Sequence, residues 1–215
     1  DESGWARSFI ATEKPRGDCP GREINPWNFG WGSFDESKGE VEFHGLPHFS
    51  GGAWQGGDEL PDSELGWVTL NAEGGHPGDE SHAAIRRFRA PAAGVVQVDG
   101  ELAHGASQGD GVRARIVSGG ETRGPWLAHD SRCATPIASL PVMRGDAVDF
   151  IIDCRNGESY DSFRWTATVS LTVEDGAKTT WSTRDGFHGP SPPPLSPWGR
   201  LAQILLMSNE FAFVD

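Results

Sequence analysis

Tyrosine is almost missing from this chain: there is one, against nine Trp and eleven Phe. Cysteine is scarce too, with only Cys19, Cys133 and Cys154. No CxxC occurs, which leaves zinc ribbons and thioredoxin-like redox chemistry without support. No CxxCH occurs, so this stretch carries no covalently attached c-type haem. Basic residues are few: 18 Lys and Arg face 31 Asp and Glu, for a formal net charge of −13. Such an acidic field repels phosphate backbones and anionic membrane surfaces, so neither nucleic acid nor a membrane is an expected partner. No run of 18 apolar residues exists, and no membrane insertion is expected. HExxH, a P-loop and a GxGxxG following a strand are all lacking. The opening DESGWARSFIATEK has neither a basic n-region nor an apolar h-region, so no signal peptide is expected there. Asp1 is not a natural translation start, and the chain reads as a piece of something longer.

What is present is period-two alternation bounded by Gly, Pro, Asn and Asp. It is clearest over residues 162–173, where Phe163, Trp165, Ala167, Val169, Leu171 and Val173 share one face and Arg164, Thr166, Thr168, Ser170 and Thr172 the other. That is the pattern of a half-buried β-strand. Further strands are expected near 83–89, 94–102, 111–118, 125–129, 135–142 and 146–154, with short ones at 28–31, 41–44 and 67–70. Val112, Ala114 and Ile116 should face inward, as should Val96, Val98, Leu102 and Cys154. A run of such strands without helical periodicity predicts an all-β sandwich. The expected architecture is a jelly-roll type β-sandwich over residues 1–188, with an irregular N-terminal wrap. Residues 189–215 form a Pro-rich connector and a short C-terminal helix packed on the same domain. Ser196 is placed to cap that helix with Pro197 at its first position, and Trp198, Leu201, Ile204 and Leu205 are expected to be buried. Cys154 is either a small buried hydrophobe or the partner of Cys133.

Three constellations carry possible chemistry. Trp27, Phe29, Trp31, Phe49, Trp54 and Trp67 sit in Gly-rich segments. Indole faces stack on sugar rings, and Trp54 with Gln55 between GGA and GGD, helped by His48 and Trp31, is the leading ligand site. The alternative is that these aromatics bury themselves as a satellite core. Arg86, Arg87, Arg89, Arg113 and Arg115 form a basic cluster. Arg113 and Arg115 either hold carboxylate or sulfate groups of a ligand or pair across strands with Asp99, Glu101, Asp149 or Asp153. GDGV (109–112), with Asp146 and Asp149, and the loop DCRNGESYDS (153–162) are rich in oxygen donors. Asp110, Asp153 and Asp161 are the candidate calcium ligands; the alternative is a plain turn in which Asp caps its own backbone. The seven histidines show no metal spacing.

The motifs GGHPG, AAIRRF, GDGVRARIV, DSFRW and the ending LAQILLMSNEFAFVD resemble the C-terminal part of large secreted planctomycete proteins. Those proteins join a c-type haem domain to long domains of unassigned function. The resemblance runs from about Pro26 to Asp215 and implies an extracytoplasmic parent with other domains as partners. The haem motif of those proteins is absent here, so no haem is expected in this chain. The middle portion resembles, more loosely, jelly-roll modules that bind carbohydrate. The expected function is a non-catalytic module that binds a polysaccharide or oligosaccharide. A docking domain that packs on its own parent protein is the second reading, and a glycan-active enzyme the third.

Overall fold

Alternation turns into strand wherever the sequence carries it. The computed structural model describes residues 25–190 and 196–207. In chain order the strands are β1 (Trp27–Gly32), β2 (Phe34–Asp35), β3 (Glu40–Val41), β4 (His44–Gly45), β5 (His48–Ser50), β6 (Ala53–Gln55), β7 (Thr69–Asn71) and β8 (Gly74–His76). They continue as β9 (Ala83–Arg89), β10 (Gly94–His104), β11 (Val112–Ser118), β12 (Glu121–Ala128), β13 (Ser131–Ala134), β14 (Ile137–Val142), β15 (Ala147–Asp153), β16 (Phe163–Thr172) and β17 (Lys178–Ser182). One helix, α1 (Pro197–Met207), follows.

The strands form two facing antiparallel sheets. One has six strands in the order β12-β11-β15-β9-β1-β4. The other has nine: β13-β10-β16-β8-β7-β6-β5 in a row, with β14 beside β10 and β17 beside β16. The chain switches sheets between β4 and β5, β8 and β9, β9 and β10, β10 and β11, β12 and β13, β14 and β15, and β15 and β16. This is the expected sandwich. Its core holds Val96, Val98 and Leu102 from one sheet and Val112, Ala114 and Ile116 from the other, as the alternation requires. Trp165 of β16 meets Phe150 of β15 edge-on at 5.3 Å across the interface.

Four details depart from the sequence reading. The strand expected over 135–142 is β14, which begins only at Ile137 because Pro136 offers no N–H to the ladder, and a further strand, β13, precedes it. The Gly-rich stretch 48–76 supplies β5 to β8. Glycine is required there by close backbone approach: a Cβ on Gly74 would lie 1.9 Å from the carbonyl oxygen of Phe163. The outer face of the six-stranded sheet is covered. The β2–β3 hairpin brings Phe34 and Val41, with Phe43, onto Ile85, Val117 and Ile151. Finally, α1 is capped as expected, Ser196 Oγ accepting from Gly199 N–H at 3.0 Å, but its apolar side chains are not buried. Trp198 is 80% exposed, and Leu201, Ile204 and Leu205 are exposed as well. Cys154 is buried and Cys133 half-buried, and both are free thiols, so they do not pair with each other. Cys19 lies outside the described residues.

Candidate functional site

Most of the aromatic edge expected to bind sugar packs as a satellite core, while Trp67 stays exposed. Trp54 is half-buried, its indole N–H donates to the His188 carbonyl at 2.7 Å, and its ring meets Phe49 edge-on at 5.2 Å. Phe187 joins them, 4.7 Å from Phe29 and 6.2 Å from Phe49. Gln55 is buried and donates to Gly57 O at 2.6 Å, so its amide is engaged within the fold. His48 stays near the surface, 3.2 Å from Asp58. Trp31 lies apart from this group, stacked on His44 at 4.7 Å and beside His82. The structure sets His48 opposite Gln55 across β5 and β6, beside Trp54, but holds Trp31 on β1 of the other sheet, so the four do not form one binding surface.

The basic cluster divides. Arg86 points into the core rather than to a surface stripe: it is 3% exposed. It donates to the carbonyls of Trp165, Asn71 and Gly74, and burial pushes its guanidinium down to about 10. Arg87 forms a two-bond pair with Asp149 at 2.6 and 2.8 Å and lies over the Phe43 ring. Arg113 Nε and Arg115 Nη1 both donate to Asp153, at 3.0 and 2.7 Å. Cross-strand pairing thus accounts for Arg113 and Arg115, through Asp153. Asp99 and Glu101 belong to the other sheet and take no part. Arg113, Arg115 and Arg155, with Glu36, Glu80 and Asp153, line a cavity of about 240 Å³ on this face, and their charges balance within it.

The candidate calcium ligands divide too. Asp153 is held by two guanidinium groups and is not available to a cation. Asp149 is paired with Arg87, and Asp146 closes its own turn by accepting from Met143 N–H at 2.7 Å. Asp110 Oδ2 accepts from the backbone and side chain of Asn156 at 3.2 and 2.7 Å. Asp161 is different. It is fully buried, and neither carboxylate oxygen has a hydrogen-bond partner. Burial, and then the negative field of Asp110, push its carboxyl up to about 7. Among the described residues no three His, Cys, Asp or Glu side chains converge on one metal-sized point.

A further feature was not read from the sequence: an open polar groove on the outer face of the nine-stranded sheet. One part, about 760 Å³, is lined by Glu101, His104, Asp130, Ser131, Arg132, Ser162, Arg164 and Thr166. A second part, about 570 Å³, adds Asp99, Thr168, Ser182 and Arg184. The two share Glu101 and Thr166. Strand register explains the lining. Asp99 pairs with Thr168 and Glu101 with Thr166 across β10 and β16, so a row of carboxylates faces a row of hydroxyls. The signal was present in the outward set Thr166, Thr168 and Ser170. It looked like an ordinary solvated face because the partner strand was unknown.

No family model and no curated protein matches the chain. Among solved structures, a PA14 sugar-binding domain from an RTX adhesin is similar over 50% of this chain, at 14% identity and a TM-score of 0.29. The match spans 55% of that domain, and at this level of similarity nothing is transferred from it.

Proposed function

We propose that the domain is a non-catalytic carbohydrate-binding module whose ligand lies in the groove over β10 and β16. The observation that carries this reading is the register itself. Asp99 and Glu101 stand opposite Thr168 and Thr166, with Arg132 and Arg164 beside them, on a face that no other described element covers. Carboxylates accept from sugar hydroxyls, while threonine hydroxyls and guanidinium groups donate to them. The groove has no exposed aromatic platform, so affinity rests on hydrogen bonds. A net charge of −13 favours a neutral glycan over an acidic one. The groove is open to water and has no enclosed pair of carboxylates, which supports binding over hydrolysis. The parent, on the sequence resemblance, is an extracytoplasmic haem-bearing protein that this module would bring to its polysaccharide.

The test is affinity electrophoresis through gels containing neutral or acidic polysaccharides. Wild type is retarded by at least one neutral polymer. Glu101→Gln weakens that retention roughly 10- to 150-fold, the range for removing a charged hydrogen-bond acceptor. Retention by no polymer overturns the reading.

A second reading is favoured by one observation. Trp198, Ile204 and Leu206 are strongly exposed on α1, as expected of a helix that docks against another part of the parent protein.

A further inference from the structure

The carboxyl of Asp161 sets a problem that the polar groove does not solve. Its side chain is 0% exposed, and both oxygens are without hydrogen-bond partners. A buried carboxylate left this way is among the most unfavourable groups a fold can hold. His104 is the nearest nitrogen, 3.7 Å away, and is equally buried. It is not the counter-ion. Its Nδ1 accepts from Asp130 N–H at 3.4 Å, which puts the ring proton on Nε2, and Nε2 donates to the Tyr160 carbonyl at 2.9 Å. Both ring nitrogens are used by a neutral imidazole. Arg155, the basic side chain of this loop, directs its guanidinium to the Asp110 carbonyl.

A proton on Asp161 would remove the charge but leave its O–H and its second oxygen unsatisfied. A hard cation satisfies both. We propose that the loops 105–111 and 153–162 hold a calcium-class cation, with Asp161 as the buried carboxylate ligand and Asp110 as the second. Backbone carbonyls and water complete a shell that in such sites takes six to eight oxygens. The two loops are already closely packed: a Cβ on Gly109 would lie 2.3 Å from the Ser159 carbonyl oxygen. They also supply Gly105 and Ser162 to one end of the polar groove, so a cation here would fix that end. The assignment stands whether or not the groove takes a glycan.

The experiment uses the whole chain, stripped of metal, at pH 8. Thermal melting is followed in calcium chloride and in excess EDTA, with calorimetric titration of calcium. Wild type binds one calcium ion, and free calcium 100-fold above Kd raises Tm by roughly 5–10 °C. Asp161→Asn folds and loses the calcium-dependent rise. Asp110→Asn weakens calcium at least tenfold, and it decides the matter if Asp161→Asn does not fold. Identical wild-type melting in calcium and EDTA, with no heat of binding, overturns the proposal. So does a calcium-dependent rise that survives both substitutions, because it places the cation elsewhere.

Discussion

The indole N–H of Trp54 donates to the His188 carbonyl at 2.7 Å and ties strand β6 to a segment 134 residues further along the chain. That single bond turns the most sugar-like aromatic of the sequence into a structural clamp. Trp54→Ala removes a half-buried ring and leaves the carbonyl without its donor. The expected loss is about 2–4 kcal/mol, seen as a lower urea midpoint, with glycan retention of the remaining folded protein unchanged.

Arg86 answers to a different force. Three backbone carbonyls from β16 and from around β7 and β8 converge on its guanidinium inside the core. Arg86→Ala leaves all three without this donor and opens a cavity. A loss of about 3–5 kcal/mol is expected, on the scale of breaking a buried charged network. Denaturant unfolding of Arg86→Ala and Arg86→Lys checks it. Lys, a point charge without the planar fork, should recover only part.

How legible this was depended on whether a residue's surroundings were local. The Phe163–Thr172 pattern and the Ser196 cap are properties of neighbours in sequence, and both are in place. Val112, Ala114 and Ile116 were legible for the same reason. Arg86 was not: it alternates in phase with Ala84 and Phe88, but its charge argued for a surface, and the carbonyls that receive it come from remote strands. Arg115 and Asp149 point away from the core, as expected, yet are buried because the β2–β3 hairpin closes over them. The groove needed the β10–β16 register, which no single strand reveals. The Asp161 loop was marked by its oxygen donors; Asp153, one of the candidate calcium ligands, is taken by Arg113 and Arg115, a cross-strand pairing that the sequence offered only as one of several alternatives.

Thiol reactivity follows from burial. Burial, with Asp153 and Asp161 adding negative field, pushes the Cys154 thiol up to about 12. A thiol held so high and shut from water has almost no thiolate at pH 8. Peptide mapping after native-state alkylation should find Cys154 unmodified and Cys133 slowly modified, with Cys154 reacting only in denaturant. Fast native labelling of Cys154 would show that its strand end opens.

Acid sensitivity has a definite sign at His76. Burial lowers its ring below the usual 6.5, with Nδ1 hydrogen-bonded to Pro77 O. The unfolded chain therefore takes up a proton near 6.5, before the folded protein does. Stability from this group is complete above that pH and is lost as pH falls toward the folded value. Tm measured from pH 7 to 5 should fall less steeply for His76→Gln than for wild type.

The most direct measurement is a backbone amide NMR titration of the domain with an oligosaccharide of the polymer that retains it. Shifts should gather at residues 99–101, 132, 166 and 168, on the outer face of β10, β13 and β16, and should vanish in Glu101→Gln. Shifts confined to residues 48–58 or to α1, with β10 and β16 silent, would contradict the groove as the binding site.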